Sequence, residues 1–521
     1  MFSKMKPAEK KLLEACKNGK DLYLGNERPI EKTVDNEIRG EFLRDLILNN
    51  NQEIDENDKS YILKIDSGGI KFSGAYISGR FDFSFCSTDL PFGFLNSMFE
   101  NKLNLADSKI RFLSLIGSSV PSFDAFRLVC ESDIFLRNGF EVNGEVNFIS
   151  AQINGSLSCT NGKFNNNEGY ALNCNGAKIE GSVFLSDDFE ANGEVNFGSA
   201  QIGGNLEGSE GKFNNKNGYA LDCNGTKIEG SVFLNDDFEA NGKVNFHSSY
   251  IGKSLVFTNA KKIAYLNLES AHISRLDFDI NNVETIDLDG FVYEHLDMTK
   301  QDFTSPAKWL EKMPKEKDFK PQPYKQLAKV LRNMGHHGDA DDTMIKYNEQ
   351  LTKKDFSPFK WIYGKTAGYG YKPMNIFWTM FGIWLFCGLF YWNASKVAVF
   401  APNNPLVFQK KVDYECNVEE NGTAWSDILS YEKYNTTNNW VLNEKLESEY
   451  TTFNPFWYSL DVILPIVDLQ VEKDWGQYVS MNDWTLNDFT RWLMWLEIIV
   501  GWMYSLILVA ILSGLAKNEK D

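Results

Sequence analysis

Histidines and closely spaced cysteines are scarce in this 521-residue chain, which has five histidines and eight cysteines. No two cysteines have the CxxC spacing of zinc or redox sites, and no histidine has metal-ligand spacing with a cysteine or an acid. The glycine-rich stretches contain neither a GxGxxG that opens a helix nor a GxxxxGK[ST], and no serine sits in a nucleophile elbow. We therefore predict no catalytic residues, no metal site, no cofactor and no enzyme activity.

Positive charge is also in short supply, because 71 acidic residues against 53 basic residues give a formal net charge of −18. This balance argues against nucleic acid as a partner. The first 20 residues are charged and contain no apolar run typical of a secretory signal, so we expect the N-terminal part in the cytoplasm. The cysteines are then expected as free thiols in a reducing compartment.

A 49-residue repeat occupies the middle of the chain. GEVNF at 144–148 recurs at 193–197, and the alanines of an AxIxG-like pattern, Ala151, Ala177 and Ala200, are 26 and 23 residues apart. One period therefore predicts two stacked coils. Short alternating stretches such as VNF and SVFL predict strands. Asn-Gly pairs are expected to supply corners with positive φ, at 154–155, 161–162, 175–176, 192–193 and 224–225.

The predicted fold class is mainly β, a right-handed parallel β-helix of roughly ten coils over residues 59–300. Its core is expected to contain Ile, Leu, Val, Phe and small Ala or Cys. Cys174 and Cys223 are expected to be buried at the same position of successive 49-residue repeats. Strand edges at the ends of such a rod need covering, so residues 1–58 are predicted as a helical cap. Residues 301–374 are predicted as a helical linker, with a helix hairpin that turns at 335–338 and an aromatic, lysine-rich segment at the membrane interface.

The acidic residues are concentrated in the repeat, where residues 139–260 hold 15 Asp or Glu against seven Lys and no Arg. One interpretation is a mimic of nucleic acid that binds a basic partner, and the simpler one is the solvated surface of a cytoplasmic rod. A polysaccharide-active enzyme is a further alternative. It would use the paired carboxylates Asp187-Asp188 and Asp236-Asp237 in the β-helix groove.

An α-helical membrane domain is predicted over residues 375–516. Its apolar runs at 375–394 and 492–516 are each long enough to cross a hydrocarbon core of about 30 Å. Between them we predict an outer loop, 395–452, and a short half-helix, 453–470. The half-helix either re-enters the membrane or lies flat on its outer surface.

Lysine placement predicts the orientation of these spans. Residues 353–373 hold five lysines against one acid, the 395–488 connection holds 15 acids against six lysines, and the tail, 517–521, adds two lysines. By the positive-inside rule, both termini are cytoplasmic and the connection, with Cys416, is outside. The predicted location is the bacterial cytoplasmic (inner) membrane, crossed twice.

The half-helix contains the candidate pore. Asn454 is expected to cap it, Pro455 to occupy its first position and Pro465 to end it. Acidic side chains along a conduit would favour cations, and an acid inside a span, such as Glu497, should face protein or water, carry a proton or snorkel to the outer surface. The expected pore-lining residues are Asp461, Pro465, Asp468, Glu497 and Ser505, and the expected packing residues of the half-helix are Phe456, Trp457 and Tyr458.

GYG at 368–370 resembles a potassium filter in composition only. It precedes the first predicted span and lies among lysines, whereas a filter follows a pore helix that enters from outside. We therefore predict a turn at this triplet.

The run GYALNCNGAKIEGSVFLSDDFEANGEVNFGSAQIGGNL resembles bacterial membrane-anchored β-helix proteins with pentapeptide-like repeats, commonly labelled membrane-associated oxidoreductase. The resemblance continues through DGFVYEHLD (289–297), FKPQPYKQLAKVLRNMG (319–335) and GYGYKP (368–373). It implies the architecture, and the oxidoreductase label has no cofactor motif behind it here. YSLDVILPIVDL (458–469) before a membrane helix is similar to the pore helix and filter of two-helix potassium-type channels, with proline and aspartate where TVGYG would stand.

These observations predict a membrane-embedded, oligomeric, ion channel-like protein, a tetramer if it is a channel, with a cytoplasmic β-helix as sensor or scaffold. The expected partners are the lipid bilayer and further copies of the chain. The alternative is a non-conducting, membrane-anchored β-helix scaffold that binds a protein partner at the inner membrane.

Overall fold

The fold is described here from a computed structural model, which divides the chain into two compact units, residues 1–343 and 344–521. The first unit contains a parallel β-solenoid of about ten turns, and the second consists mainly of helices, including two long apolar ones. The predicted fold class is confirmed in this form. The structure describes residues 5–56, 59–297, 306–314, 319–397, 399–404, 439–442, 451–477 and 486–513.

Two parallel sheets form the sides of the solenoid, and most of their strands are only two residues long. In the described residues, the larger sheet contains Leu22–Tyr23, Ile70–Ser73, Phe92–Leu95, Lys109–Ile110, Leu113–Ser114, Val129–Cys130, Ile134–Phe135, Gln152–Ile153, Leu157–Ser158, Lys178–Ile179, Val183–Phe184, Gln201–Ile202, Leu206–Glu207, Lys227–Ile228, Val232–Phe233, Tyr250–Phe257, His272–Phe278 and Val292–Leu296.

The second sheet is built in the same way from successive coils. Its described strands are Glu37–Arg39, Tyr76–Ser78, Met98–Phe99, Leu103–Asn104, Ser119–Val120, Phe123–Asp124, Glu141–Val142, Val146–Asn147, Lys163–Asn173, Glu190–Asn196, Lys212–Asp222, Glu239–Asn245, Lys262–Asn267 and Val283–Asp287. A separate antiparallel hairpin joins Glu53–Glu56 to Lys59–Ile62.

Strand register confirms that one sequence period makes two coils. Gln152 lies beside Lys178 in the next coil, and Lys178 lies beside Gln201 in the coil after that, which are steps of 26 and 23 residues. The backbone of each coil therefore pairs with the backbone of the coils on either side. A single repeat cannot bury its core without these neighbouring coils.

Apolar side chains fill the interior in columns that run from coil to coil. The cysteines Cys174 and Cys223 are fully buried, as predicted. Aromatic rings, tilted against one another, give each coil an apolar contact with the next. The ring centroids are 5.2–5.5 Å apart along the column Phe140, Phe164, Phe189, Phe213 and Phe238.

Corners with positive φ occur at four of the five Asn-Gly pairs, through Asn161, Gly176, Gly193 and Gly225. The prediction is wrong for the fifth pair, 154–155, where neither residue has a positive φ. Glycine is needed there for space instead. A Cβ on residue 155 would lie 2.3 Å from Oδ1 of Asp133 and 2.7 Å from its backbone nitrogen.

The outer surface of the second sheet pairs opposite charges between coils. Acidic and basic residues alternate in register along the column Glu141, Lys163, Glu190, Lys212, Glu239 and Lys262. Opposite charges on neighbouring strands attract, whereas like charges would repel. Each acid of this column therefore has a basic neighbour on an adjacent coil, as expected of a solvated surface.

The first coil is covered by helices α1 (Pro7–Lys17) and α2 (Gly40–Leu48), which fall within the predicted cap. The fully buried carboxylate of Glu9 accepts hydrogen bonds from Nε and Nη2 of Arg39 at 2.8 and 2.7 Å. Between the two helices, Leu22–Tyr23 and Glu37–Arg39 already pair with strands of the two sheets. The cap is therefore tied to the solenoid by strand pairing as well as by packing.

The last coil is covered by a 3-10 helix, Pro306–Lys312, and by α3 (Gln322–Asn333). The side-chain amides of Gln322 and Gln326 donate to the carbonyls of Phe291 and Tyr293 at 2.9 and 2.7 Å. These bonds satisfy carbonyls that would otherwise form an open edge. Where the sequence predicts a helix hairpin that turns at 335–338, α3 is followed by a turn at Gly335 (φ 86°) and then by α4 (His337–Lys354), which already includes Gly338.

Helices dominate the second unit. It includes α5 (Pro358–Ala367), α6 (Pro373–Ser395), α7 (Pro455–Ile463), α8 (Val471–Asp474), α9 (Leu486–Leu512), short 3-10 helices at Gly368–Gly370 and Trp440–Leu442, and an antiparallel pair of strands, Phe400–Pro402 with Trp475–Gln477.

Helices α6 and α9 are long and apolar enough to cross a membrane. GYG forms the predicted turn ahead of α6. Most of the predicted outer loop, with Cys416, lies outside the described residues, as do residues 514–516 of the predicted second span and the predicted tail, 517–521.

The phenylalanine column predicts a large effect of one substitution. Phe189→Ala removes a fully buried ring between two stacked neighbours and should cost about 3–5 kcal/mol. We expect the apparent melting temperature of the full chain, followed by β-sheet circular dichroism in detergent, to fall by roughly 10 °C. Phe85→Ala is the control, because Phe85 is 79% exposed and its loss should change little. Equal effects of the two substitutions would contradict a stacked core.

Candidate functional site

The half-helix α7 begins and ends where local sequence signals place it. Oδ1 of Asn454 accepts from the backbone N–H groups of Phe456 and Trp457 at 3.0 and 3.2 Å, and Pro455 is the first helical residue, as predicted. The helix ends at Ile463. Leu464 is extended because the ring of Pro465 disfavours a helical residue before it.

Helix α7 packs closely against the middle of α6. The indole N–H of Trp384 donates to the carbonyl of Phe456 at 2.9 Å, and the two rings lie 5.8 Å apart. Gly388 makes the approach possible, since a Cβ there would be 2.5 Å from Cδ1 of Phe456. The predicted packing role of Phe456 is therefore directed at α6.

A second glycine brings α7 against α9. A Cβ on Gly501 would lie 2.2 Å from the carbonyl oxygen of Ile463, the last residue of α7. Small residues allow helix backbones in membranes to approach each other in this way. Gly388 and Gly501 thus hold the half-helix between the two long helices.

Glu497 of α9 lies at the point where the three helices meet. Its carboxylate is fully buried and accepts from the hydroxyl of Tyr391 on α6 at 2.7 Å and from the hydroxyl of Ser459 on α7 at 2.5 Å. In the part of the chain that the structure describes, no lysine, arginine or histidine pairs with Glu497. A buried acid held only by neutral donors joins all three helices.

Tyr458 of α7 is fully buried in an aromatic cluster that shares Tyr391 with the Glu497 site. Its ring centroid lies 5.3 Å from that of Tyr391, 5.2 Å from Phe400 and 5.7 Å from Phe453. Its hydroxyl accepts from the side-chain amide of Gln477 at 2.8 Å. Trp457, by contrast, is 55% exposed and faces away from this cluster.

Asp461 holds the segment that follows the half-helix. Its side chain is largely buried, Oδ1 accepts from the backbone N–H of Leu469 at 2.7 Å, and Oδ2 accepts from that of Glu472 at 2.9 Å. Both carboxylate oxygens are therefore engaged with the backbone. They fix a return segment, residues 464–470, that folds back alongside α7.

Asp468 is the exposed acid of the return segment. It pairs with Lys473 and accepts from the backbone N–H of Gln470 at 2.9 Å. The hydrogen bond from the Lys473 ammonium, assisted by that of Gln470, lowers the pKa of Asp468. Next to it, Ile466 is 79% exposed, which leaves apolar surface on the return segment of the single chain.

The predicted site residues are thus brought together only in part. Phe456 and Tyr458 of α7 pack against α6, and Glu497 of α9 bonds to α7. Asp461 lies on α7, Asp468 follows it, and Pro465 is half-buried at the bend. Ser505, also half-buried, is two turns further along α9 than Glu497 and does not reach that carboxylate.

Sequence reasoning missed the hydrogen-bond donors of Glu497 on the other two helices, namely Tyr391 and Ser459. A signal for Tyr391 was present, since it shares one face of an apolar helix with Cys387, four residues before it. Among the described residues, no group of three or more His, Cys, Asp or Glu side chains could hold a metal ion.

The two-glycine contact gives a direct test of the half-helix position. Gly501→Val should push Ile463 and α7 away, because the added side chain meets backbone atoms that cannot yield. Cys387, now buried, should then react at least about tenfold faster with N-ethylmaleimide in the detergent-solubilised full chain, measured by mass spectrometry of its peptide. Gly382→Val is the matched control, since a Cβ at Gly382 meets nothing within 4 Å. Unchanged reactivity in Gly501→Val would contradict the packing described.

Comparison with known proteins gives no further guide: no protein-family model matches this chain, and neither does any curated protein or solved structure. The resemblance to membrane-anchored β-helix proteins and to two-helix channels therefore stays a prediction. What is shown is a β-solenoid of about ten turns with two possible membrane-spanning helices.

Proposed function

We propose that this protein is an oligomeric, cation-conducting channel of the bacterial inner membrane, with its β-solenoid as a cytoplasmic sensor or scaffold. A β-solenoid with two long apolar helices is compatible with a membrane-anchored scaffold. The observation that supports a channel is the position of α7, a short helix enclosed between the two long ones.

The depth of α7 favours a re-entrant helix over one that lies flat on the outer surface. Trp384, which binds its backbone, is the twelfth of the 23 residues of α6, and Glu497 is the twelfth of the 27 residues of α9. At 1.5 Å per residue, α7 contacts α6 about 16 Å from its C-terminal end. That distance is close to half the thickness of a hydrocarbon core of about 30 Å.

The return segment is the candidate conduit. Irregular backbone at membrane depth is tolerated only where it is buried in protein or lines water. On one chain, Ile466 and Val467 of this segment are exposed, so neighbouring copies would cover them around a shared axis. The C-terminal end of α7 has a negative partial charge next to this segment, and Asp468 adds a carboxylate, which pairs with Lys473 within the chain. Both favour cations.

The other two acids then have positioning roles. Asp461 fixes the return segment through two backbone N–H groups, and Glu497 fixes α7 to both spans. The lysine-rich approach to α6 and the acidic connection between the spans support cytoplasmic termini.

A non-conducting scaffold that binds a protein partner at the membrane is the second candidate. It is favoured by the hydrogen bonds of Asp461 and Glu497, which satisfy both buried acids within a single chain. A purely structural membrane anchor would show the same bonds.

Ion flux into liposomes that contain the purified full-length protein separates the two candidates. We expect cation flux that disappears when residues 453–470 are replaced by a polar linker. Asp468→Asn should lower the cation-to-anion permeability ratio several-fold, because it removes the exposed charge of the return segment. Glu168→Gln, an exposed acid of the solenoid, is the control and should leave the ratio unchanged.

A channel that rests closed would be silent, so the same assay includes a form without residues 1–300. Flux from this form alone would show that the solenoid restrains the pore. Silence of both the full-length protein and this form would contradict the channel and support the scaffold.

A further inference from the structure

Helix α5 is fixed to its surroundings by one face. A Cβ on Gly364 would be 2.4 Å from Cζ of Tyr369, and the ring of Tyr363 lies edge-on to that of Tyr369 at 6.2 Å. The hydroxyl of Tyr369 in turn bonds to that of Thr352 near the end of α4 at 3.1 Å. Helix α5 is therefore a positioned element and not a loose linker.

Other side chains of α5, which make none of these contacts, form an exposed apolar surface. Phe359 is 80% exposed and Trp361 51% exposed, with Ile362 beside them and Phe356 just before the helix. Only residues 368–372 separate α5 from α6, and five residues reach at most about 18 Å. This apolar face thus lies within reach of the membrane that α6 crosses.

Lysines surround this face in an otherwise acidic protein. Residues 349–372 contain five lysines, at 353, 354, 360, 365 and 372, against two acids, Glu349 and Asp355. The acids approach Lys365 and Lys360 at 3.8 and 3.4 Å, which are long contacts between exposed groups. Exposed ion pairs of this length contribute little free energy, so the two acids bind their lysines only weakly.

We propose that α5 is a docking helix for anionic lipid headgroups at the leaflet where α6 begins. Its aromatic face enters the boundary between headgroups and acyl chains, and its lysines contact lipid phosphates. A second copy of this chain is a poorer occupant, because the same lysines would face each other. The proposal concerns lipid binding and does not depend on ion conduction.

A spin label on the apolar face tests this directly in the full-length protein. Ile362→Cys, in a background with Cys86→Ser and Cys416→Ser, is labelled with a nitroxide and reconstituted into phosphatidylcholine bilayers with or without phosphatidylglycerol. We expect collisions with a water-soluble nickel chelate to be at least about threefold rarer in the anionic bilayer. High salt should remove that difference, because it screens the headgroup charge.

A charge variant and a matched control identify the groups involved. Replacing Lys353, Lys354, Lys360 and Lys365 by Gln should abolish the dependence on anionic lipid, whereas Lys325→Gln with Lys329→Gln on α3 should preserve it. The unlabelled wild-type chain gives a second measurement. Trypsin should cut after Lys360 and Lys365 more slowly in anionic than in neutral bilayers.

Two results would overturn the proposal. One is equal chelate access and equal trypsin cleavage in both bilayers. The other is a label that is immobile and inaccessible in detergent as well as in both bilayers, which would show that protein covers this face. Absence of ion flux in the liposome assay leaves these outcomes unaffected, so the two proposals fail separately.

Discussion

Every buried backbone N–H and C=O group needs a hydrogen-bond partner, and the whole structure depends on this constraint. An unpaired group away from water is costly in free energy. In the solenoid, the backbone N–H and C=O groups of each coil pair with those of the coils on either side. The repeat is therefore necessary, because a single coil would leave these groups unpaired. At its last coil, the amides of Gln322 and Gln326 take the place of a further coil. In the helical unit, the carboxylate of Asp461 accepts hydrogen bonds from two backbone N–H groups after α7, where the helix no longer pairs its own backbone.

This constraint separates three acids of the helical unit into two kinds. Asp461 and Glu497 are buried, and their oxygens are used inside the chain to hold a backbone segment and to join three helices. Asp468 is exposed and its partner, Lys473, is exposed as well. A role in contact with a passing ion therefore fits Asp468 best, and the buried acids act by positioning the half-helix and its return segment.

Local and periodic signals made much of the fold predictable. The alanine spacing predicted both coil lengths, and Asn454, Pro455 and Pro465 predicted where the half-helix begins and ends. What the sequence could not reveal depends on contacts between distant segments. The donors to Glu497 are 38 and 106 positions away in the sequence, and Gly155 is required by a neighbouring coil rather than by its own φ. The strands between α1 and α2 were missed because they are two or three residues long and pair only with the solenoid.

The most direct test of this account is the depth of the half-helix in a bilayer. Trp457 is exposed on α7, so a nitroxide at Trp457→Cys in the reconstituted full-length protein reports that depth without disturbing the packed face. A re-entrant α7 predicts frequent collisions with oxygen and rare collisions with a nickel chelate, as expected near the middle of the hydrocarbon core. Frequent collisions with the chelate, at the level of the headgroups, would place α7 on the membrane surface and contradict the re-entrant helix.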